Sequence, residues 1–168
     1  MDRLHLKPAD IVMLVDTREQ RPLDLKAACK DTYRVEKASL ATGDYSVAGL
    51  EHDGVVIERK SLDDLVACVG NERKRFEAEL RRMQGFRAKL VLVESLYCDV
   101  EGGGWRSKVT PASVVGSIMR WQQWGISFHF AGTREAAARY ACNYLWLAAR
   151  AEWERLQSFD KNIRVGNN

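Results

Sequence analysis

A chain of 168 residues, 46% hydrophobic and 29% charged, is long enough for one well-cored domain and too short for two comfortable ones. The composition is that of an ordinary soluble globular protein, and no apolar run approaches the roughly 20 residues that a membrane-spanning helix needs. A formal net charge of +3 admits a nucleic-acid partner without demanding one, so how the charges cluster matters more than their sum.

Residues 11–15 (IVMLV) form a continuous apolar run, the mark of a strand buried on both faces, and lead into Asp16, Thr17, Arg18 and Glu19. Pro22 breaks the pattern, and residues 23–30 read as a short helix or a loop. Residues 33–40 alternate as a half-exposed strand and are followed by a turn at 41–44. Residues 45–47 and 55–60 are two strands joined by a polar, glycine-containing loop, most simply a hairpin. Ser61 caps a helix over residues 62–69, with Asp63 and Asp64 in the first turn, where negative charge suits the helix dipole.

A second helix covers residues 72–84, with Phe76, Leu80 and Met83 on one stripe and Gly85 placed to end it. Residues 89–95 return as a buried strand, which makes a β-α-β crossover. Residues 97–108 are the least regular stretch, loosened by three glycines and made adhesive by Trp105, Arg106 and Lys108. Pro111 opens a helix that runs to Trp124, residues 126–130 are a sixth strand, and Thr133 caps a long helix that reaches about Leu156. That helix carries apolar residues on more than one face, so it is either deeply buried or partly covered by a partner. Residues 158–168 are polar and expected to fray as a flexible tail, leaving residues 1–157 as a single domain. The order of elements predicts an α/β protein with a mixed central sheet of about six strands flanked by helices.

Four cysteines, Cys29, Cys68, Cys98 and Cys142, are scattered with no close pair, which argues against a zinc ribbon or a redox motif. They read as reduced, largely buried thiols of a cytoplasmic protein, and the N-terminus has no signal-peptide pattern. His5, His52 and His129 show no ligand spacing.

The stretch 55–64 (VVIERKSLDD) carries the most chemistry. Strand alternation puts Glu58 and Lys60 on one face and Arg59 on the other, so a carboxylate and an ammonium are delivered side by side. Alone, such a pair is ordinarily an exposed ion pair worth about 0–1 kcal/mol. Asp16 and Asp44 also fall at strand or turn ends, and if the three acids converge a divalent cation is the natural explanation. Hard cations take oxygen ligands, and acids brought together without one repel. In a metal-dependent phosphodiesterase the cation activates a water and stabilises charge at the phosphate, with Lys60 beside it.

Gly43-Asp44, thirteen residues, Glu58-Arg59-Lys60, three residues and Asp64 together resemble the signature of the XPF family of structure-selective DNA endonucleases. Residues 15–19 (VDTRE) are similar to that family's first motif, and Asn71-Glu72-Arg73 to its asparagine-glycine-arginine segment with glutamate in place of glycine. The resemblance covers roughly residues 11–130 and implies a restriction-endonuclease-like fold. It implies that Asp16, Asp44 and Glu58 hold Mg²⁺ or Mn²⁺, helped by the Arg59 carbonyl, with Lys60 as the catalytic lysine. Arg59 and Asp64 are then supporting residues, and Arg18, Glu19 and Arg73 line the cleft near phosphate. Glu19 is equally read as a simple partner of Arg18, and Trp105 equally as a core anchor or as a stacking surface for an unpaired base.

The family's usual tandem helix-hairpin-helix domain has no counterpart here, so the expectation is a free-standing phage- or bacterial-type nuclease. Such a chain requires a homodimer through the C-terminal helix, or a partner protein, to select branched, flap or fork DNA. The alternatives are a catalytically idle DNA-binding or scaffold subunit on the same fold, and a junction resolvase or RNA nuclease of the same architecture.

Overall fold

The computed structural model describes residues 7–30 and 32–165; His5 lies outside them, and so does the end of the expected tail. Six strands form one mixed sheet: β1 (Val12–Asp16), β2 (Arg34–Ala38), β3 (Tyr45–Val47), β4 (Val55–Lys60), β5 (Ala88–Val93) and β6 (Ser127–Phe130). Their order is β2-β1-β3-β4-β5-β6. β3 runs antiparallel to both β1 and β4, whereas β1 with β2, and β4 with β5 and β6, are parallel pairs.

The helices are α1 (Leu25–Ala28), α2 (Leu62–Val69), α3 (Arg73–Met83), α4 (Tyr97–Gly102), α5 (Pro111–Gln122) and α6 (Arg134–Val165). They cover the two faces of the sheet separately. Met13, Val15, Tyr45, Val47, Val55, Ile57, Leu90 and Leu92 pack with α1 and the alanine-rich part of α6, around Ala137, Ala141 and Leu145. Val56, Val91 and Val93 pack the other way, against Leu65, Phe76, Leu80 and Trp121 of α2, α3 and α5. This division follows from the two-residue period of a strand, and it decides which charged residues can meet at the strand ends.

Three expectations are corrected. Cys29 and Cys142 are not both free thiols: they form a disulfide between α1's C-cap and α6, with Cα atoms 6.2 Å apart and 113 residues of separation. Only the fold brings them together, so spacing along the chain gave no sign of the pair. Cys68 is free and buried, and Cys98 is free and exposed. The stretch expected to be irregular contains α4, closed at its start by Asp99 accepting from the Leu96 amide at 2.8 Å. Finally, α6 does not end near Leu156 but continues to Val165, with Arg150–Glu154 and Arg155–Glu152 pairs along its exposed part. No glycine or proline interrupts residues 134–165, so nothing in that polar stretch stops a helix.

Among the described residues no helix is long and apolar enough to cross a membrane. Reduction of the Cys29–Cys142 bridge is expected to lower unfolding stability by about 2–4 kcal/mol. Urea denaturation with and without reductant measures this, and Cys142→Ser should reproduce the reduced behaviour.

Candidate active site

The site is assembled by the antiparallel placement of β3. Because β3 runs against its neighbours, its first residues lie at the same sheet edge as the last residues of β1 and β4. Main-chain bonds stitch these ends together: the Asp16 amide donates to the Asp44 carbonyl at 2.8 Å, and the Asp44 amide to the Ile57 carbonyl at 2.8 Å. Gly43, at φ +75°, makes the approach possible. A Cβ there would collide with the Val56 side chain and come within 2.9 Å of the Ile57 carbonyl.

Glu58 and Lys60 share the face of β4 that looks toward α2 and α3, and they form a close ion pair. It is not the exposed pair that an isolated Glu-x-Lys suggests: the side chains are 5% and 13% exposed. Lys60 Nζ also sits 5.2 Å from the centre of the Phe76 ring. Asp44 lies beside them, with Oδ2 accepting from the Arg59 amide at 2.7 Å. Burial pushes Asp44 up to about 6, against the pull of that amide. Burial and then the neighbouring charge of Asp44 push Glu58 up to about 8. Burial opposes the Lys60 charge, yet Glu58 beside it raises the ammonium above its ordinary value.

Asp16 reaches the same edge in a different state. Its Oδ1 accepts from the Arg18 amide at 2.7 Å and Arg18 Nε at 2.8 Å, and its Oδ2 from Arg18 Nη2 at 2.9 Å and the Leu40 amide at 2.8 Å. The Arg18 side chain, itself mostly exposed, is the main cause holding the Asp16 carboxyl at about 2. Both oxygens of Asp16 are thus engaged. Among the described residues no three His, Cys, Asp or Glu side chains are grouped so as to hold a metal ion. The donor chemistry of Asp44 and Glu58 still fits a hard cation: burial raises the proton affinity of both carboxyls, the Asp44 charge adds to that of Glu58, and a divalent ion relieves such a pair.

Arg59 points to the opposite face of the sheet. Its Nε and Nη2 hold Glu19 at 2.9 and 3.2 Å, and its Nη1 donates to Glu94 at 3.0 Å. Glu19 therefore pairs with Arg59 rather than with Arg18. Asp64 accepts from Ser61 Oγ at 2.7 Å, in a capping box that starts α2 directly after Lys60. Arg73 donates to Ser117 at 2.9 Å, pairs with Glu77 at 3.0 Å and lies over Trp121, so its side chain is engaged in the seam between α3 and α5.

Trp105 donates from Nε1 to the Val109 carbonyl at 2.7 Å. With exposed Arg106 and Lys108 it lines an open groove of about 850 Å³ against Asp63, Ala67 and Asn71 of the α2 side. Three participants escaped sequence reading. Glu79 on α3 adds its charge to Asp44 and Glu58, and Glu94 and Arg134 join the Arg59 cluster. A lone acid in a charged helix or at a strand end carries no local mark of such a role.

The family model of the ERCC4 domain matches residues 15–144, which span every strand from the end of β1 to β6 and every motif of the site. The chain belongs to the ERCC4 nuclease-domain family. No curated protein sequence matches it. In architecture it is similar to XPF from Aeropyrum pernix, with a TM-score of 0.66 and 22% identity over 88% of this chain and 73% of that one. It is also similar to XPF from Aeropyrum pernix in complex with DNA, with a TM-score of 0.65 and 20% identity over 83% of this chain and 66% of the other. The chain thus shares the restriction-endonuclease-like architecture of those structures.

The raised acids make a prediction for the metal-free ERCC4 domain. Asp44 and Glu58 bind protons more tightly folded than unfolded, so their contribution to stability is fully present below about pH 4 and is lost as pH rises through about 6 and 8. Asp16 works in the opposite sense, but only as pH falls below about 4. The melting temperature in chelator is expected to fall between pH 6.5 and pH 8, and Glu58→Gln to flatten that slope. An equally steep slope in the variant would remove Glu58 as its source.

Proposed function

We propose that this chain is a divalent-cation-dependent DNA endonuclease that hydrolyses phosphodiester bonds in branched, flap or fork DNA near junctions of duplex and single strand. The observation that carries the reading is the Glu58–Lys60 pair, withdrawn from solvent and set against a half-buried Asp44 at one sheet edge, in a chain of the ERCC4-domain family. A surface ion pair has no need of such burial, and burying it without function is costly.

Asp44 and Glu58, with the Arg59 carbonyl, would hold Mg²⁺ or Mn²⁺. When bound, the ion supplies an activated water and stabilises negative charge on the scissile phosphate. The chain's own residues orient the reaction. The Arg59 amide fixes Asp44, Glu58 fixes the direction of Lys60 Nζ, and Lys60 presents a cation to the phosphate or to the attacking water. Arg18, largely exposed beside Asp16, and Arg106 and Lys108 in the groove along α2 are the cations we assign to the DNA backbone. Their contribution is electrostatic, so binding is expected to weaken with salt. One XPF structure of the same architecture is a complex with DNA, which supports DNA as the ligand class.

Exposed Leu147, Leu156 and Phe159 on α6 support a homodimer through the C-terminal helix as the way substrate structure is selected. A partner protein is the other route to that selection. One observation favours a second reading, an idle DNA-binding subunit: Asp16 is fully engaged by Arg18 and Leu40 and is not free to act as a third ligand.

Cleavage of labelled flap, fork, Holliday-junction, plain duplex and RNA substrates, with Mg²⁺, Mn²⁺ or chelator, separates these readings. Cation-dependent cutting of branched DNA is expected. Cutting of RNA alone, or none of any substrate with a candidate partner present, overturns the proposal. Asp44→Ala and Lys60→Ala are each expected to abolish cutting while DNA affinity measured in chelator changes little. Loss of the fold in both would return these residues to a structural role.

A further inference from the structure

Arg134 is the first residue of α6, far from the motifs in sequence, yet its guanidinium reaches the heart of the site's support. Nη1 donates to Glu94 Oε1 at 3.0 Å, and Nη2 donates to the carbonyls of Arg21 at 2.7 Å and Pro22 at 2.5 Å. Glu94 Oε1 also accepts from Arg59 Nη1, and Arg59 in turn holds both oxygens of Glu19. Glu19 closes the circuit by accepting from the Arg21 amide at 2.7 Å. Two carboxylates and two guanidiniums therefore alternate across the ends of β1, β4 and β5 and the start of α6.

The circuit lies on the sheet face away from the reaction, as strand alternation requires of residues 59 and 94. It is nevertheless one bond from the chemistry. The amide of Arg59 fixes Asp44, and the residues on either side of Arg59 are Glu58 and Lys60. Glu19 and Glu94 are 6% and 14% exposed, so each needs its cation. Without Arg134 a single guanidinium would serve both acids, and the loop at residues 17–24 would lose the two carbonyl contacts that fasten it to α6.

We propose that Arg134 and Glu94 are positioning residues for the phosphodiester cleavage assigned above: they fasten the Glu19 loop and set Arg59, and through it the placement of Asp44, Glu58 and Lys60. This inference rests on the nuclease reading for its kinetic part. Lysine is not an adequate substitute at position 134, because three acceptors in different directions call for the planar fork of arginine.

The test uses the full chain with Arg134→Ala, Arg134→Lys and Glu94→Gln, each alone and combined with Glu19→Gln. On a cleaved branched substrate, Arg134→Ala is expected to lower kcat by about tenfold or more with KM little changed, because misplacement acts on the reacting geometry rather than on backbone binding. Arg134→Lys should remain impaired. In the Glu19→Gln background, Arg134→Ala should add no more than about twofold, since both changes break one circuit. Hydrogen exchange of the amides at residues 17–24 should quicken in Arg134→Ala and Glu94→Gln while exchange in β5 stays slow.

Full multiplicative loss in the double variant, or unchanged exchange in the loop, would overturn the proposal. Should Arg134→Ala fail to fold, Glu94→Gln carries the same comparison. Absence of cleavage by the unaltered protein would sink the nuclease reading, and the exchange measurement would still decide whether Arg134 and Glu94 anchor the loop.

Discussion

The constraint on which the rest depends is the reversal of one short strand. β3 contributes only three residues, but by running against β1 and β4 it places Asp44 at the edge where both neighbours end. Had it run parallel, Asp44 would lie at the far edge. Asp44 is then caught from both sides, its carbonyl by the Asp16 amide and its carboxylate by the Arg59 amide. The burial of Glu58, the raised proton affinity of both acids and the need for glycine at position 43 all follow from that convergence.

The pleat of β4 supplies a second ordering principle. Alternate residues carry different duties, with Glu58 and Lys60 facing α2 and α3 and Arg59 facing α6. The same parity sorts β5, where Val91 and Val93 join the core on the Glu58 and Lys60 side while Glu94 meets Arg59 on the other. The Glu58–Lys60 pair and the Arg59 cluster are thus separated by the thickness of a single sheet, and the peptide units of residues 58–60 connect them.

Much of this was legible in the sequence, and for identifiable reasons. Local signals place β3, α2 and α3 closely, because glycine-containing turns bound the first, a serine cap starts the second and an apolar stripe marks the third. The opposite facing of Arg59 followed from period two alone. What escaped was long-range. Glu94 and Arg134 are 40 residues apart, and nothing near either in sequence announces the other. Cys29 and Cys142 are farther apart still. For Asp16 the residue types were visible, but its state depends on whether the Arg18 side chain folds back, a choice of rotamer that the letters D-T-R do not encode. The length of α6 was misjudged because polar composition was weighed above the absence of any helix breaker.

That last helix begins at Arg134, beside the strand ends that carry the site, and crosses the sheet to the opposite edge, where Glu152 meets Arg87 at 3.3 Å. Its 32 residues amount to a rod of about 48 Å, more than twice the span of the longest strands. The Arg134 guanidinium ties it at its start, the Cys29–Cys142 bridge two turns later and Glu152 beyond the core contacts of Leu145 and Ala149, so its hold on the sheet lies within its first two thirds and its last turns carry the chain past the strand ends.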